Sequence, residues 1–246
     1  MKILLANSNT SPEVTRMILA EAERVASPGT AVAGRNARFG ARIIGSRTAA
    51  AVSAHALVDM LAEEASGHDA VVLGMSLDTG LWAARELLEV PVVGMTEAAL
   101  LCACTLAPRF GLVVLGRNSA QPFRELVESY GLVGRLAGIA ALEVAPEDRL
   151  RDPDALHLPV VDAARGLVDQ DGAETIILAG AVMAGLPHTL EGRVPVPLVE
   201  GIACGVLLAE TLVRLGASKP RFGSLQVPTK REVLNLGTAL SERLSQ

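Results

Sequence analysis

Apolar residues gather in short, nearly unbroken runs along the 246-residue chain: Ile3 to Ala6, Ala70 to Leu73, Val90 to Val93, Gly111 to Leu115, Thr175 to Leu178 and Val196 to Val199. A strand with one solvated face alternates apolar and polar side chains. Unbroken runs therefore predict strands covered on both faces, as in a parallel sheet. Between the runs the period changes: Val14, Ile18, Ala22 and Val25 recur every three or four residues and draw one apolar stripe along a helix. Ser11 as N-cap and Pro12 in the first turn mark its start. The alternation of the two patterns predicts an α/β fold.

The chain also repeats itself. "ILLANSNT" (residues 3–10) matches "LVVLGRNS" (112–119) at an offset of 109; "VLGMSLDTGL" (72–81) matches "ILAGAVMAGL" (177–186) at 105; "PVVGMTEA" (91–98) matches "PLVEGIAC" (197–204) at 106. Three segments in one order at a nearly constant offset predict two pseudo-symmetric Rossmann-like (flavodoxin-like) lobes with parallel sheets and a cleft between them. The predicted boundaries are residues 1–98 with 204–246 for one lobe and 99–203 for the other. Strand carboxyl ends would point to the cleft, where ligands of such sheets bind. Asn9 and Thr10 in one lobe, with Asn118 and Ser119 in the other, each open a helix there. Free amides at such a terminus favour a carboxylate or carbonyl oxygen.

Composition narrows the chemistry. Aromatic residues make up 2% of the chain and the net charge is −5, so both a base-stacking platform and a phosphate-binding basic surface are missing. Nucleic acid is excluded as a partner and a small molecule is expected. No apolar stretch approaches the roughly 18 residues of a membrane span, and the start "MKILLANSNT" is too short in apolar residues for a signal peptide. A cytoplasmic protein is expected. Cys102, Cys104 and Cys204 have no metal-ligand spacing, which predicts no metal, and read as buried small hydrophobes. With half the residues hydrophobic, apolar surface and a homo-oligomer are expected. The tail, with Pro220 and Pro228, reads as a surface crossing followed by a short helix.

The segments "NSNTS", "DTGLWAARELLEVPVVGMTEAALL", "RFGLVV", "DGAETIIL" with "MAGL", and "VPLVEGIA" together resemble the aspartate/glutamate/hydantoin racemase superfamily, most closely its hydantoin and allantoin racemase branch. The resemblance implies a cofactor-independent racemase in which two cysteines, one from each lobe, pass a proton between the two faces of an acidic C–H. A thiol suits that task because its pKa of about 8.5 can be tuned toward neutrality. The resemblance puts the first cysteine at Met75, or at Gly74 if the loop is gapped differently, and the second at Gly180. Neither side chain carries an exchangeable proton. The thiol-free loops imply a lost activity, room for other chemistry, or an engineered deletion.

Asp78 and Ser76 are the proton-handling side chains of the first loop and the candidate catalytic pair, with Asp78 either a carboxylate base or a helix N-cap. Candidate substrate contacts are Asn9, Thr10, Ser46, Met75, Thr79, Thr96, Asn118, Ser119, Gly180, Ala181 and Val182. Ser46, with Arg47 beside it, falls where the resemblance puts a substrate-side loop, and Thr96 follows the apolar run at Val90 to Val93. Glu97 and Glu200 stand near strand ends, Glu97 in a place to favour a helix dipole. The expected activity is proton transfer α to a carbonyl of a small amino-acid, hydantoin or related carboxylate, without a cofactor. The alternatives are a ligand-binding homologue without turnover, and a lyase or decarboxylase on the same scaffold.

Overall fold

The computed structural model describes residues 1–226 and 231–245; Pro228 lies outside them. The chain divides into two compact units, Met1–Gly94 with Val206–Gln246, and Met95–Gly205.

The first unit runs β1 (Lys2–Asn7), α1 (Pro12–Val25), β2 (Ala31–Asn36), α2 (Arg47–Glu64), β3 (Ala70–Leu73), α3 (Leu81–Leu87) and β4 (Val92–Gly94). The second begins with α4 (Met95–Leu106), then β5 (Phe110–Leu115), α5 (Ala120–Ser129), β6 (Leu136–Leu142), α6 (Pro146–Arg151), α7 (His157–Asp171), β7 (Thr175–Ala179), α8 (Leu186–Thr189), β8 (Leu198–Glu200) and the first turn of α9 (Gly201–Arg214). The rest of α9 and a terminal helix α10 (Thr238–Ser245) belong to the first unit. Each unit is a four-stranded parallel sheet, in the order β2-β1-β3-β4 and β6-β5-β7-β8. No helix among the described residues is long and apolar enough to cross a membrane.

Four of the six unbroken apolar runs became the inner strands, where Ile3 to Leu5, Val71, Val72, Leu112, Val113 and Ile176 are wholly enclosed, and the other two became the edge strands β4 and β8. β4 and β8 begin just after Pro91 and Pro197. A proline cannot donate to the ladder, but its carbonyl still accepts, from Val71 N at 2.9 Å and from Ile176 N at 2.9 Å. The edge strands β2 and β6 were not anticipated. "AVAGRN" and "LAGIAAL" are half-exposed along most of their length, so they carry small and polar residues in place of a continuous apolar run.

Two of the three repeat matches coincide with the sheet register. Leu73 pairs with Gly94 and Leu178 with Glu200, as offsets of 105 and 106 require. The match at 109 is displaced. Leu5 faces Val72 and Leu112 faces Ile177, so Leu5 and Leu112 are counterparts at 112 − 5 = 107. The loops after β1 and β5 therefore differ in path, and Asn9 is not the positional equivalent of Asn118.

Glu210 on α9 ties the first unit together and is 2% exposed. Its carboxylate accepts from Ser27 N (2.9 Å), Ser27 Oγ (2.5 Å) and Thr30 Oγ1 (2.5 Å), with Arg214 at 3.6 Å. Burial by itself would raise the Glu210 pKa, but these donors and the Arg214 charge together hold it below the ordinary carboxylate value. A depressed folded pKa gives stability that is present above the unfolded pKa and is lost as pH falls through the folded one. Glu210→Gln should therefore cost about 1–3 kcal/mol near neutral pH. In urea unfolding, the difference from wild type should shrink as the pH falls below the ordinary carboxylate range.

Candidate active site

In each sheet the strand order reverses between the first two strands of the chain and the third, β1 beside β3 and β5 beside β7. Helices leave such a switch point toward opposite faces, so the strand carboxyl ends there open into a crevice.

In the first unit the β1 loop is a self-contained hydrogen-bonded turn. Asn7 Nδ2 donates to Asn9 Oδ1 (2.9 Å) and Thr15 Oγ1 (3.0 Å), and Asn7 Oδ1 accepts from Asn9 N (3.2 Å). Asn9 Oδ1 accepts from Ser11 N (2.8 Å) as well. The Asn9 oxygen is thus committed to the turn, and its NH2 is the part left for a ligand. Thr10 donates its N–H to Ala41 O at 3.1 Å. Ser11 caps α1 through Val14 N, and Ser46 caps α2 through Ala49 N at 3.1 Å.

The β3 loop is the strained part. Met75, buried, opens a 3₁₀ turn over Ser76–Asp78 in which Leu77 (φ 67°) and Asp78 (φ 47°) are both left-handed. Two successive non-glycine residues in that region cost about 1–3 kcal/mol each and persist only when the surroundings enforce them. Gly94 on β4 makes room for the side chain that this turn presents. A Cβ there would stand 2.5 Å from Asp78 Cγ and 2.7 and 2.8 Å from its two oxygens, so the carboxylate lies flat on the Gly94 backbone. Asp78 is 4% exposed. Of its two sequence readings, the N-cap is not what is observed: Gly80 occupies that position of α3 and no side chain caps the helix. Gly94 was missed by sequence reasoning; its signal was the repeat, in which Glu200 stands at the matching place.

In the second unit the matching loop carries no titratable group. Ala181–Met183 form the corresponding 3₁₀ turn, closed by Met183 N to Gly180 O at 2.9 Å, and Ala181, Val182 and Met183 are all buried. Gly180 has φ 155° and ψ 136°, in territory that is essentially glycine's own. A side chain of any kind at 180 is strained, and Gly180→Ala should lower stability by about 1–3 kcal/mol in thermal or urea unfolding. Asn118 is exposed in the 3₁₀ turn before α5, and Ser119 is its last residue. Thr96 is buried in the first turn of α4. Glu200, 1% exposed, accepts from Ile202 N (2.7 Å) and Ala203 N (2.6 Å) and so caps α9.

Of the predicted residues, the first unit holds Asn9, Thr10, Ser46, Met75, Ser76, Asp78 and Thr79, and the second holds Thr96, Asn118, Ser119 and Gly180 to Val182. Strand order makes the β1 and β3 loops neighbours, whereas Ser46 stands at the start of α2. The thiols do not replace the missing pair. Cys102 and Cys204 hydrogen-bond to each other and lie on α4 and α9, outside the loops after β3 and β7. Cys102 and Cys104 are partly exposed, and only Cys204 is buried, against the expectation of three buried cysteines. Among the described residues, no cluster of three or more His, Cys, Asp or Glu could hold a metal ion.

Two parallel sheets with strained turns at the same strand ends define a two-lobe racemase fold. The chain belongs to the Asp/Glu/hydantoin racemase family, whose model matches residues 3–209. Within it, the relatives support the hydantoin/allantoin racemase branch. A hydantoin racemase of Pseudomonas sp. (strain NS671) is 32% identical over 233 residues, 94% of each chain. The allantoin racemase structure from Pseudomonas fluorescens superposes with a TM-score of 0.92 at 32% identity, covering 96% of this chain and 100% of the other. That from Klebsiella pneumoniae gives 0.93 at 29% identity and 98% of both.

Proposed function

We propose that this chain is a cofactor-independent racemase or epimerase that moves the proton α to a carbonyl of a small amino-acid, hydantoin or related carboxylate substrate, using Asp78 where its relatives are expected to use a thiol. The reading rests on one observation. Asp78 is the sole ionisable side chain in either reactive loop, and it sits in a strained backbone with its carboxylate packed where a side chain on Gly94 would lie. Strain kept at a loop tip where ligands bind signals a positioned group. A carboxylate so placed removes the α-proton as general base. The Asn9 NH2 and the Ser76 hydroxyl donate to the developing enolate oxygen, and a water gives a proton to the opposite face, its hydroxide being neutralised by the proton that Asp78 releases to solvent. Thr10 and Thr79 line the same loops. The protein works in the cytoplasm, as an assembly of copies, with no cofactor.

A second reading, a binding homologue without turnover, is favoured by Gly180, whose backbone conformation disfavours any side chain at the place of the second thiol. The two part in one assay. An enantiopure 5-substituted hydantoin, or an amino acid, should lose optical rotation in the presence of the protein. Saturable binding with constant rotation across such a panel supports the binding homologue instead.

A further inference from the structure

We propose that Cys102 and Cys204 form a redox-responsive dithiol that peroxide closes into a disulfide joining α4 to α9. Both residues belong to the second unit, far apart in sequence, and their side chains are in hydrogen-bonding contact. The helices that carry them approach at their first residues. A Cβ on Gly201 would stand 2.6 Å from the Met95 carbonyl oxygen and 2.8 Å from Met95 Cε, so the absence of a side chain at 201 lets the two helix starts touch. Cys204 follows Gly201 by three residues and Cys102 follows Met95 by seven, spacings that return to the same helix face.

The two sulfurs are differentiated. Cys204, 8% exposed, donates its S–H to Cys102, and that bond, then burial, then the charges of Cys102 and Glu200 push its own pKa up. The same bond favours the thiolate at Cys102, pulling its pKa down to about 7 against a smaller opposing effect of burial. Cys102 is partly exposed, so the more acidic thiol is also the accessible one. This is the arrangement of an attacking cysteine beside a resolving one. The chemistry balances. The Cys102 thiolate attacks one oxygen of hydrogen peroxide, and the O–O bond breaks to give the Cys102 sulfenic acid and hydroxide, which takes up a proton to leave as water. Cys204 sulfur then attacks the Cys102 sulfur, forming the S–S bond, while the Cys204 proton and the sulfenic hydroxyl leave as a second water. Two thiols lose two electrons and peroxide is reduced to two waters. Cys104, two residues from Cys102 and so on another face of α4, is the internal control.

The test is mass spectrometry of the full chain after titration with hydrogen peroxide, followed by alkylation of remaining thiols and peptide mapping. The intact mass should fall by two hydrogens, with Cys102 and Cys204 peptides cross-linked, Cys104 alkylated, and full reversal by dithiothreitol. Cys104→Ser should leave the cross-link unchanged, and Cys204→Ser should stop Cys102 at the sulfenic or sulfinic acid. Before oxidation, the rate of Cys102 alkylation should rise to half its maximum near pH 7. Oxidation of Cys104 at least as fast as Cys102, or accumulation of oxidised Cys102 with Cys204 still alkylatable in the wild type, would overturn the proposal.

Discussion

Asp78→Asn should slow exchange of the substrate α-hydrogen with solvent deuterium by about 10²- to 10⁴-fold, the range that a positioned general base supplies. The carboxamide has the shape of the carboxylate, so it can lie on the Gly94 backbone as the native group does. What it lacks is the ability to accept a proton at neutral pH. The loss should fall on kcat, with KM little changed, because the side chain is assigned to the proton and not to holding the substrate. A rise in KM at constant kcat would make Asp78 a binding group. Ser76→Ala should cost much less, since its hydroxyl has only an oxygen to support.

Gly94→Ala carries the second large effect, through a residue with no functional group of its own. The added methyl would sit 2.5 Å from Asp78 Cγ, a separation that real Cβ atoms do not adopt. Asp78 has little freedom to retreat, being 4% exposed and anchored between Leu77 in left-handed geometry and Thr79. Either its carboxylate leaves its position or β4 shifts against β3. The variant should lose exchange to about the extent of Asp78→Asn and lose about 1–3 kcal/mol of stability by overpacking. The double variant should be no less active than the worse single one, because both remove the same placed carboxylate. Full additivity of the two activity losses would mean that Gly94 acts independently of Asp78.

Much of this was readable in the chain, and the parts that were not have physical reasons. Inner strands such as Ile3–Ala6 and Thr175–Leu178 are covered on both faces, so burial writes itself into sequence as unbroken apolar runs. The strands at Ala31 and Leu136 are only half-buried along most of their length and carry no such record, whereas the other two edges, β4 and β8, follow apolar runs. Repeats fixed the reactive turns well: Gly80 at φ 82° and Gly185 at φ 79° open matching helices at an offset of 105. The same method misaligned Asn9 with Asn118, because short polar loops accept many paths between similar strands. Asp78 stood out as the one ionisable residue of its loop. Gly94 and the Cys102–Cys204 contact did not, since both depend on which backbones approach one another across the fold.

Proton NMR of enantiopure 5-substituted hydantoins and amino acids in D2O, with a chelator present and the wild-type protein added, addresses the assigned chemistry most directly. Progressive loss of the stereocentre signal of at least one compound, abolished in Asp78→Asn, is the predicted result. Saturable binding of these compounds with every α-hydrogen retained, or exchange that proceeds undiminished in Asp78→Asn, would contradict it.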